Sequence, residues 1–267
     1  MTDLPGWVPE GVDVTVPNAA RVYDYALGGV HNFAVDREFW RRTEKVMPEA
    51  GLIGQANRGF LGRAVRYLAG LGIRQFLDIG SGIPTLGNVH EVAQEVDPSA
   101  RVMYVDIDPI AVQQSRAILG DNPRASVIEG DLRKPDDILN HPEVQRLLDF
   151  SEPVAVLTVA VLHFIPDSDD PAGIISRIGE SVVSGSYLVL SHFAPDEQRR
   201  AAQEGAAKMY EQTPTPVLMR DRAQLTALLG PFEPVPPGVV VAAYWHPDPD
   251  ADEKPQPTAM VAVARKP

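Results

Sequence analysis

Apolar and polar positions fall into two rhythms along the chain. Up to about residue 70 the rhythm is helical. Asn18 stands ahead of AARVYDYAL, where a short carboxamide caps a helix, and the pair Gly28-Gly29 suits its end, because glycine accepts the left-handed conformation. A second helix is predicted over 34–46, closed by Pro48. A third is predicted over 55–69, where Phe60, Leu61, Ala64, Val65 and Leu68 recur at a spacing of three to four and mark one buried face. Residues 1–17 read as a loose arm.

From Arg74 the rhythm changes to short apolar runs separated by longer helical stretches. Strands are predicted at 74–79, 102–105, 126–129, 154–159 and 187–191, with helices near 86–96, 110–119, 136–148 and 172–181. That alternation implies a parallel sheet with helices on both faces. After Pro195 a helix runs to about Tyr210, a Thr-Pro-Thr-Pro break follows, and 222–229 is helical. The end offers β-like stretches at 239–245 and 259–263, separated by HPDPDADEKPQPT, which reads as an exposed loop that lacks the apolar residues to bury itself.

Composition narrows the function. The 267 residues suit one large α/β unit with its own core. The absence of cysteine removes disulfides, thiolate metal sites and cysteine nucleophiles. With 24 Lys+Arg against 36 Asp+Glu the net charge is −12, which argues against a nucleic-acid partner. The start, MTDLPGWVPEG, has neither a basic nor an apolar export region, and no apolar run nears the ~20 residues of a membrane span, so a cytoplasmic protein is expected.

The chemistry concentrates at strand ends. Asp78-Ile79-Gly80-Ser81-Gly82 closes the first strand and opens a helix, where two glycines let a ligand approach the backbone. Asp106 ends the second strand 24 positions after Gly82, placed to accept from both hydroxyls of a ribose. Asp108 precedes Pro109 and can cap the next helix. Asp131, after Glu129-Gly130, ends the third strand and can accept from an adenine amine. The dinucleotide fingerprint G-x-G-x-x-G fails, because Thr85 replaces the third glycine. The ordered set describes a pocket for a cationic adenosyl ligand rather than for a pyrophosphate.

FLDIGSG, YVDIDP, VIEGDL and the AVLHFI segment resemble the class I S-adenosylmethionine-dependent methyltransferases over residues 72–195. ARVYDYALGGVHNFAVDRE, ANRGFLGRAVRYLA and VAVLHFIPDSDDP extend the likeness over nearly the whole chain to an actinobacterial family of S-adenosyl methyltransferases once described as a domain of unknown function. The resemblance implies a Rossmann-like, mostly parallel seven-stranded sheet with an antiparallel C-terminal strand. It implies S-adenosylmethionine as cofactor, with S-adenosylhomocysteine as product. Gly80, Ser81 and Gly82 would pass beneath the methionine part and Asp78 would place its amino group. Asp106 and Ile107 would serve the ribose side, Asp131 and Leu132 would bracket the adenine, and Ala160 would line the methyl-donor side. Residues 1–70 form an arm and helical lid over the 71–267 domain, the whole being one globular unit.

Within the lid, Tyr23, His31 and Asn32 crowd around Gly28-Gly29 together with Asp24, Asp36 and Arg37. Asn32 is a candidate cofactor contact, as is Arg58, whose guanidinium can fork onto the cofactor carboxylate. His163 lies where acceptors meet the methyl group, with Tyr23 and His31 as further catalytic candidates and His192 a weaker one. The Asp167, Asp169 and Asp170 cluster and the Asp248, Asp250 and Asp252 cluster both miss the Ca²⁺-loop pattern, and no metal site is expected. The expected function is transfer of a methyl group to a small-molecule acceptor. The alternative is a catalytically inactive protein that binds S-adenosylmethionine or its product as a regulator. An open pocket beside His163 would favour the enzyme, and a plugged one the regulator.

Overall fold

The structure, a computed structural model, describes residues 8–9, 12–84, 87–211, 213, 215–248, 255–256 and 258–267. Thr85 and Leu86, most of the first eleven residues and most of the polar loop at 249–257 lie outside the described residues, and with them Asp250, Asp252 and the expected start of the 86–96 helix.

The Asn18 side chain accepts from the Ala20 amide and starts α1 (Ala19–Ala26), and Gly28 leaves it at a φ of +83°. α2 (Ala34–Val46) starts beside it. The Asp36 carboxylate accepts from the amides of Asn18 (3.0 Å) and Phe33 (2.8 Å), so one buried acid ties the two helix starts together. α3 (Ala50–Gly70) begins five residues before the predicted start. Gly51 and Gly54 weaken the apolar pattern of its first turns, but Gly54 is where α1 crosses. The Tyr23 ring lies 3.5 Å from the position a β-carbon would take there.

The sheet runs from β1 (Gln75–Ile79) through β2 (Arg101–Asp106), β3 (Ala125–Glu129), β4 (Ala155–Val159) and β5 (Tyr187–Phe193), all parallel, to β8 (Ala259–Arg265), antiparallel to β5. Two-residue strands β6 (Glu233–Pro234) and β7 (Val240–Val241) pair with β8, giving the order β3-β2-β1-β4-β5-β8-β6 with β7 beside β8. The seven expected strands are therefore eight, and the reversed one is the last in the chain, as expected. α4 (Val89–Val96), α5 (Pro109–Leu119) and α8 (Pro171–Ser181) make the crossovers from β1 to β2, β2 to β3 and β4 to β5. The helix expected over 136–148 is two, α6 (Pro135–Leu139) and α7 (Pro142–Leu147), because proline at 142 cannot continue α6 and the His141 ring caps α7 instead. α9 (Arg200–Tyr210) and α10 (Arg222–Ala227) precede the C-terminal strands.

Of the β-like stretch 239–245 only Val240–Val241 pairs. The rest turns and lays Trp245, fully buried, edge-on against Phe60 and Tyr67 of α3, with Arg63 donating to the carbonyls of Ala242 (2.7 Å) and Trp245 (3.1 Å).

One hydrophobic cluster joins Val22, Phe39 and Phe60 of the N-terminal helices to Phe76, Val102, Leu157 and Val189 of the sheet, and a second fills the other face. α1, α2 and α3 therefore share the core of the sheet, α3 most deeply.

Candidate active site

The chain turns from β3 across to β4, so β1 has parallel neighbours on both sides and connections that leave in opposite directions. Ligands of open α/β sheets bind at such a switch point, at the strands' carboxyl ends. Here β1 ends in Asp78-Ile79 and the chain turns through Gly80 (φ +75°) and Gly82 (φ +66°), conformations that favour glycine. A β-carbon on Gly80 would lie 2.4 Å from a methyl of Val161, so this turn packs directly on the segment after β4. A β-carbon on Gly82 would meet nothing within 4 Å, which leaves open space above the loop.

Asp106 organises the turn. Its carboxylate accepts from the amide of Gly82 (2.6 Å) and from that of Asp108 (2.8 Å). Burial pushes its carboxyl up to about 6, and that of Asp78 to about 7, where the nearby Asp106 adds to the rise and Arg58 opposes it. Two buried acids that form no ion pair among the described residues favour a ligand that brings positive charge. The Ser81 hydroxyl, buried in the same turn, has no partner among the described residues. Ile107 exposes half its surface beside Asp106, while Leu132 is buried. Asp131 is held otherwise. Burial raises its carboxyl, but the Arg133 guanidinium and amide, bonded at 2.7 to 3.0 Å, bring it below its usual range. Arg58 reaches the far side of the turn, donating to the Gly87 carbonyl at 3.3 Å.

α1 and α2 are locked by polar groups. Asp24, buried and with its carboxyl raised by burial, accepts from the His31 amide and the Asn32 side chain. The Asn32 side chain also donates to the Gly29 carbonyl and accepts from Arg37. Its polar atoms thus serve this turn rather than the strand ends. Arg21, buried, stands 3.7 Å from both Asp36 and Asp108, the latter capping α5 through the Ile110 amide. α1 is therefore anchored two residues from Asp106.

Below α1–α3, beyond β4, lies a cavity of about 90 Å³. Ala160, at a φ of +56° that costs a non-glycine residue energy, and His163 lie in its wall, as does Tyr23, whereas His31 does not. A hydrogen-bonded chain runs along one side. The Tyr23 hydroxyl donates to the Gly54 carbonyl and accepts from the Asn57 amide, whose oxygen accepts from Ser191, whose hydroxyl accepts from the Ala160 amide. Asn57 and Ser191 thus hold the β4 end in its unusual conformation, a role that spacing along the chain does not reveal.

His163 is buried and its Nδ1 has no partner. Burial, with His192 and Arg220 beside it, holds its pKa well below the usual value, so the ring is neutral. His192 is neutral too, lowered to about 4 chiefly by burial. Its Nε2 lies 2.9 Å from Arg220, which can only donate, so Nε2 accepts and Nδ1–H donates to the Phe193 carbonyl at 2.7 Å. Arg220 is buried and binds the carbonyls of Leu162 and Ile165 and the Asp167 carboxylate. Asp170 caps α8. The acidic cluster is therefore structural. Among the described residues no three potential ligands gather around a metal position, and no helix is long and apolar enough to cross a membrane.

A strand order of this kind, with an acid-flanked glycine turn at the switch point, defines the S-adenosyl methyltransferase class. The sequence pattern described as S-adenosyl methyltransferase matches residues 5–267, and the chain belongs to that family, with S-adenosylmethionine as its cofactor. It is similar to a provisionally assigned methyltransferase from Thermobifida fusca at 39% identity and a TM-score of 0.91, covering 98% of this chain and 99% of that one. A protein from Streptomyces avermitilis of the family first numbered as a domain of unknown function is 39% identical, with a TM-score of 0.89 over 96% and 99% of the two chains. Human N-acetylserotonin methyltransferase bound to S-adenosylmethionine shares the fold at 16% identity and a TM-score of 0.50, covering 91% of this chain and 62% of that one. A search of curated proteins found no match.

Proposed function

We propose that the chain moves a methyl group to a small-molecule acceptor seated in the cavity between α1–α3 and the ends of β4 and β5. The observation that carries this reading is the contact between Gly80 and Val161, which joins the cofactor turn to the segment that supplies Ala160 and His163 to the cavity wall. When bound, S-adenosylmethionine supplies an electrophilic methyl on a positively charged sulfur that leaves as a neutral thioether.

The chain's residues divide the work. Asp78 and Arg58 would take the amino and carboxylate groups of the cofactor's methionine part, Gly80, Ser81 and Gly82 its path over the turn, and Asp106 its ribose. Ile107 and Leu132 would flank the adenine, with Asp131 at its amine once released from Arg133. α1 and α2 exclude water from above. Tyr23 positions rather than transfers protons, because its hydroxyl proton is held by Gly54. His163, neutral and in the cavity wall, is the residue left to meet the acceptor. A regulator with a blocked site would fill the space beside His163, and here that space is a cavity. In calorimetry S-adenosylmethionine and S-adenosylhomocysteine bind and NAD does not. Silence toward the first two would end this reading.

A further inference from the structure

The chemistry of the cavity wall points to one class of acceptor, and we infer that the cavity binds an uncharged, single-ring phenol. This names the acceptor of the function proposed above and rests on that reading only for the transfer itself.

Charge speaks first. No aspartate, glutamate, lysine or arginine lies among the described residues of the wall. A carboxylate or ammonium ligand would be desolvated there without a counter-ion, which costs far more than it returns. Shape speaks next. Trp40, Phe193, Tyr210 and the His163 ring give flat faces, and Met47 and Met219 give adaptable thioethers, a combination suited to an aromatic ring. The cavity, about 90 Å³ and partly open to its surroundings, leaves room for no more than one ring.

Hydrogen bonding supplies the hydroxyl. Tyr23, Asn57, Ser191 and Gln203 are paired with one another or with neighbouring protein groups. Three side chains in the wall carry a polar atom that is not fully enclosed and has no partner among the described residues: His163 at Nε2, Trp40 at Nε1 and Tyr210 at its hydroxyl. Burial pushes the Tyr210 phenol up to about 12, so it stays a neutral donor. A ligand hydroxyl meets two of these needs, accepting from Tyr210 and donating to His163. Methylation of that oxygen exchanges its O–H bond for an O–C bond. The carbon comes from the cofactor's sulfonium, the C–S electron pair stays on sulfur, and the proton goes to His163 and then to water.

The test is calorimetry of the full chain, saturated with S-adenosylhomocysteine, against 4-methylphenol, toluene, 4-methylbenzoate and 4-methylbenzylammonium. The phenol binds best, toluene about tenfold more weakly for want of the hydrogen bonds, and the two ions at least ~100-fold more weakly. His163→Phe brings the phenol-to-toluene ratio close to one. If that variant melts early, Tyr210→Phe, which keeps the ring, reads the same ratio. An ion that binds as well as the phenol, no binding by any probe, or an unchanged ratio in both variants overturns the inference. If S-adenosylhomocysteine itself fails to bind, the methyltransferase reading falls. The same series on the ligand-free chain then still decides the phenol pocket.

Discussion

The cofactor turn and the cavity lie on either side of one contact, Gly80 against Val161, and are built on opposite principles. The turn buries carboxylates whose pKa values burial raises, and it leaves Ser81 unpaired. Its charge is unfinished without a cation. The cavity buries histidines whose pKa values burial lowers, pairs nearly all its polar groups internally, and shows no ionised side chain. It is finished except for the hydrogen bonds that His163, Tyr210 and Trp40 leave open among the described residues. A positively charged donor and an uncharged acceptor can thus be held side by side without either region recognising the other's ligand.

Removing Asp106 strikes the turn hardest. Asp106→Ala deletes the proposed ribose acceptor and frees the Gly82 and Asp108 amides that the carboxylate now holds. With charge-assisted hydrogen bonds worth about 1.5–3 kcal/mol each, affinity for S-adenosylhomocysteine should fall by about 10²–10³-fold in calorimetry. Binding of 4-methylphenol to the ligand-free chain should change less than about twofold if the regions are independent. A parent-like cofactor affinity would remove the ribose assignment.

Gly80→Ala attacks the contact between the regions. It places a β-carbon on Val161 and asks alanine to hold a φ of +75°. We expect a loss of about 2–4 kcal/mol in denaturant melts, from the steric and conformational terms together. Val161→Gly in the same chain, compared with Val161→Gly alone, should restore the steric share only. Full restoration would show that the conformation at Gly80 carries no cost, and no restoration that the contact carries none.

The same contrast explains what could be seen in the sequence. The cradle was legible because strand ends, acids and glycines stand in a fixed order that physical chemistry constrains, and Asp78, Gly80, Gly82 and Asp106 do converge on one turn. The helices were legible from their apolar period, but α3 was read five residues short because its first turns are rich in glycine. The cavity was barely legible. Trp40, Asn57, Ser191 and Tyr210 come from four elements and meet only in three dimensions, and each alone looks like a core residue. Nothing in the spacing around Arg220 announces the carbonyls of residues 162 and 165 that it binds. Asn32 was read as a ligand contact from its company, and its bonds to Asp24 and Gly29 lie within that company.

Acidity separates the regions by sign. Asp78 and Asp106, at about 7 and about 6, lie above the usual carboxylate value, so the native chain keeps protons that the unfolded chain has released. They therefore lower the stability of the ligand-free fold as pH rises from about 4 to about 7. His163 and His192, lowered, do the reverse, and their contribution is lost as pH falls below about 6.5. A melting curve of the parent chain mixes the two, whereas cofactor affinity follows the acids alone. S-adenosylmethionine should bind about thirtyfold more tightly at pH 8 than at pH 5.5, the linkage of one acid that titrates at about 7. Asp78→Asn should flatten the slope and stabilise the ligand-free chain at pH 8. A slope of the opposite sign would mean that the acids do not face the cation.

The smallest effect lies at the rim of the turn, where Asp131 tests how far the unfinished charge extends. Its carboxylate is gripped by Arg133 through two guanidinium nitrogens and a backbone amide, in a partly exposed position. Exposed ion pairs contribute about 0–1 kcal/mol, so Arg133→Ala should leave the melting temperature nearly unchanged. Two outcomes for ligand affinity then divide. If Asp131 takes the adenine amine, releasing it from Arg133 tightens S-adenosylhomocysteine by about two- to threefold, and Asp131→Asn weakens it by about three- to tenfold, the range of a single hydrogen bond. If Asp131 serves only to order its own loop, both substitutions shift affinity in the same direction, through the lost pairing alone. Adenosine analogues without the amine would then bind as well as the parent ligand, and the region of charge awaiting a cation would end at Asp78 and Asp106.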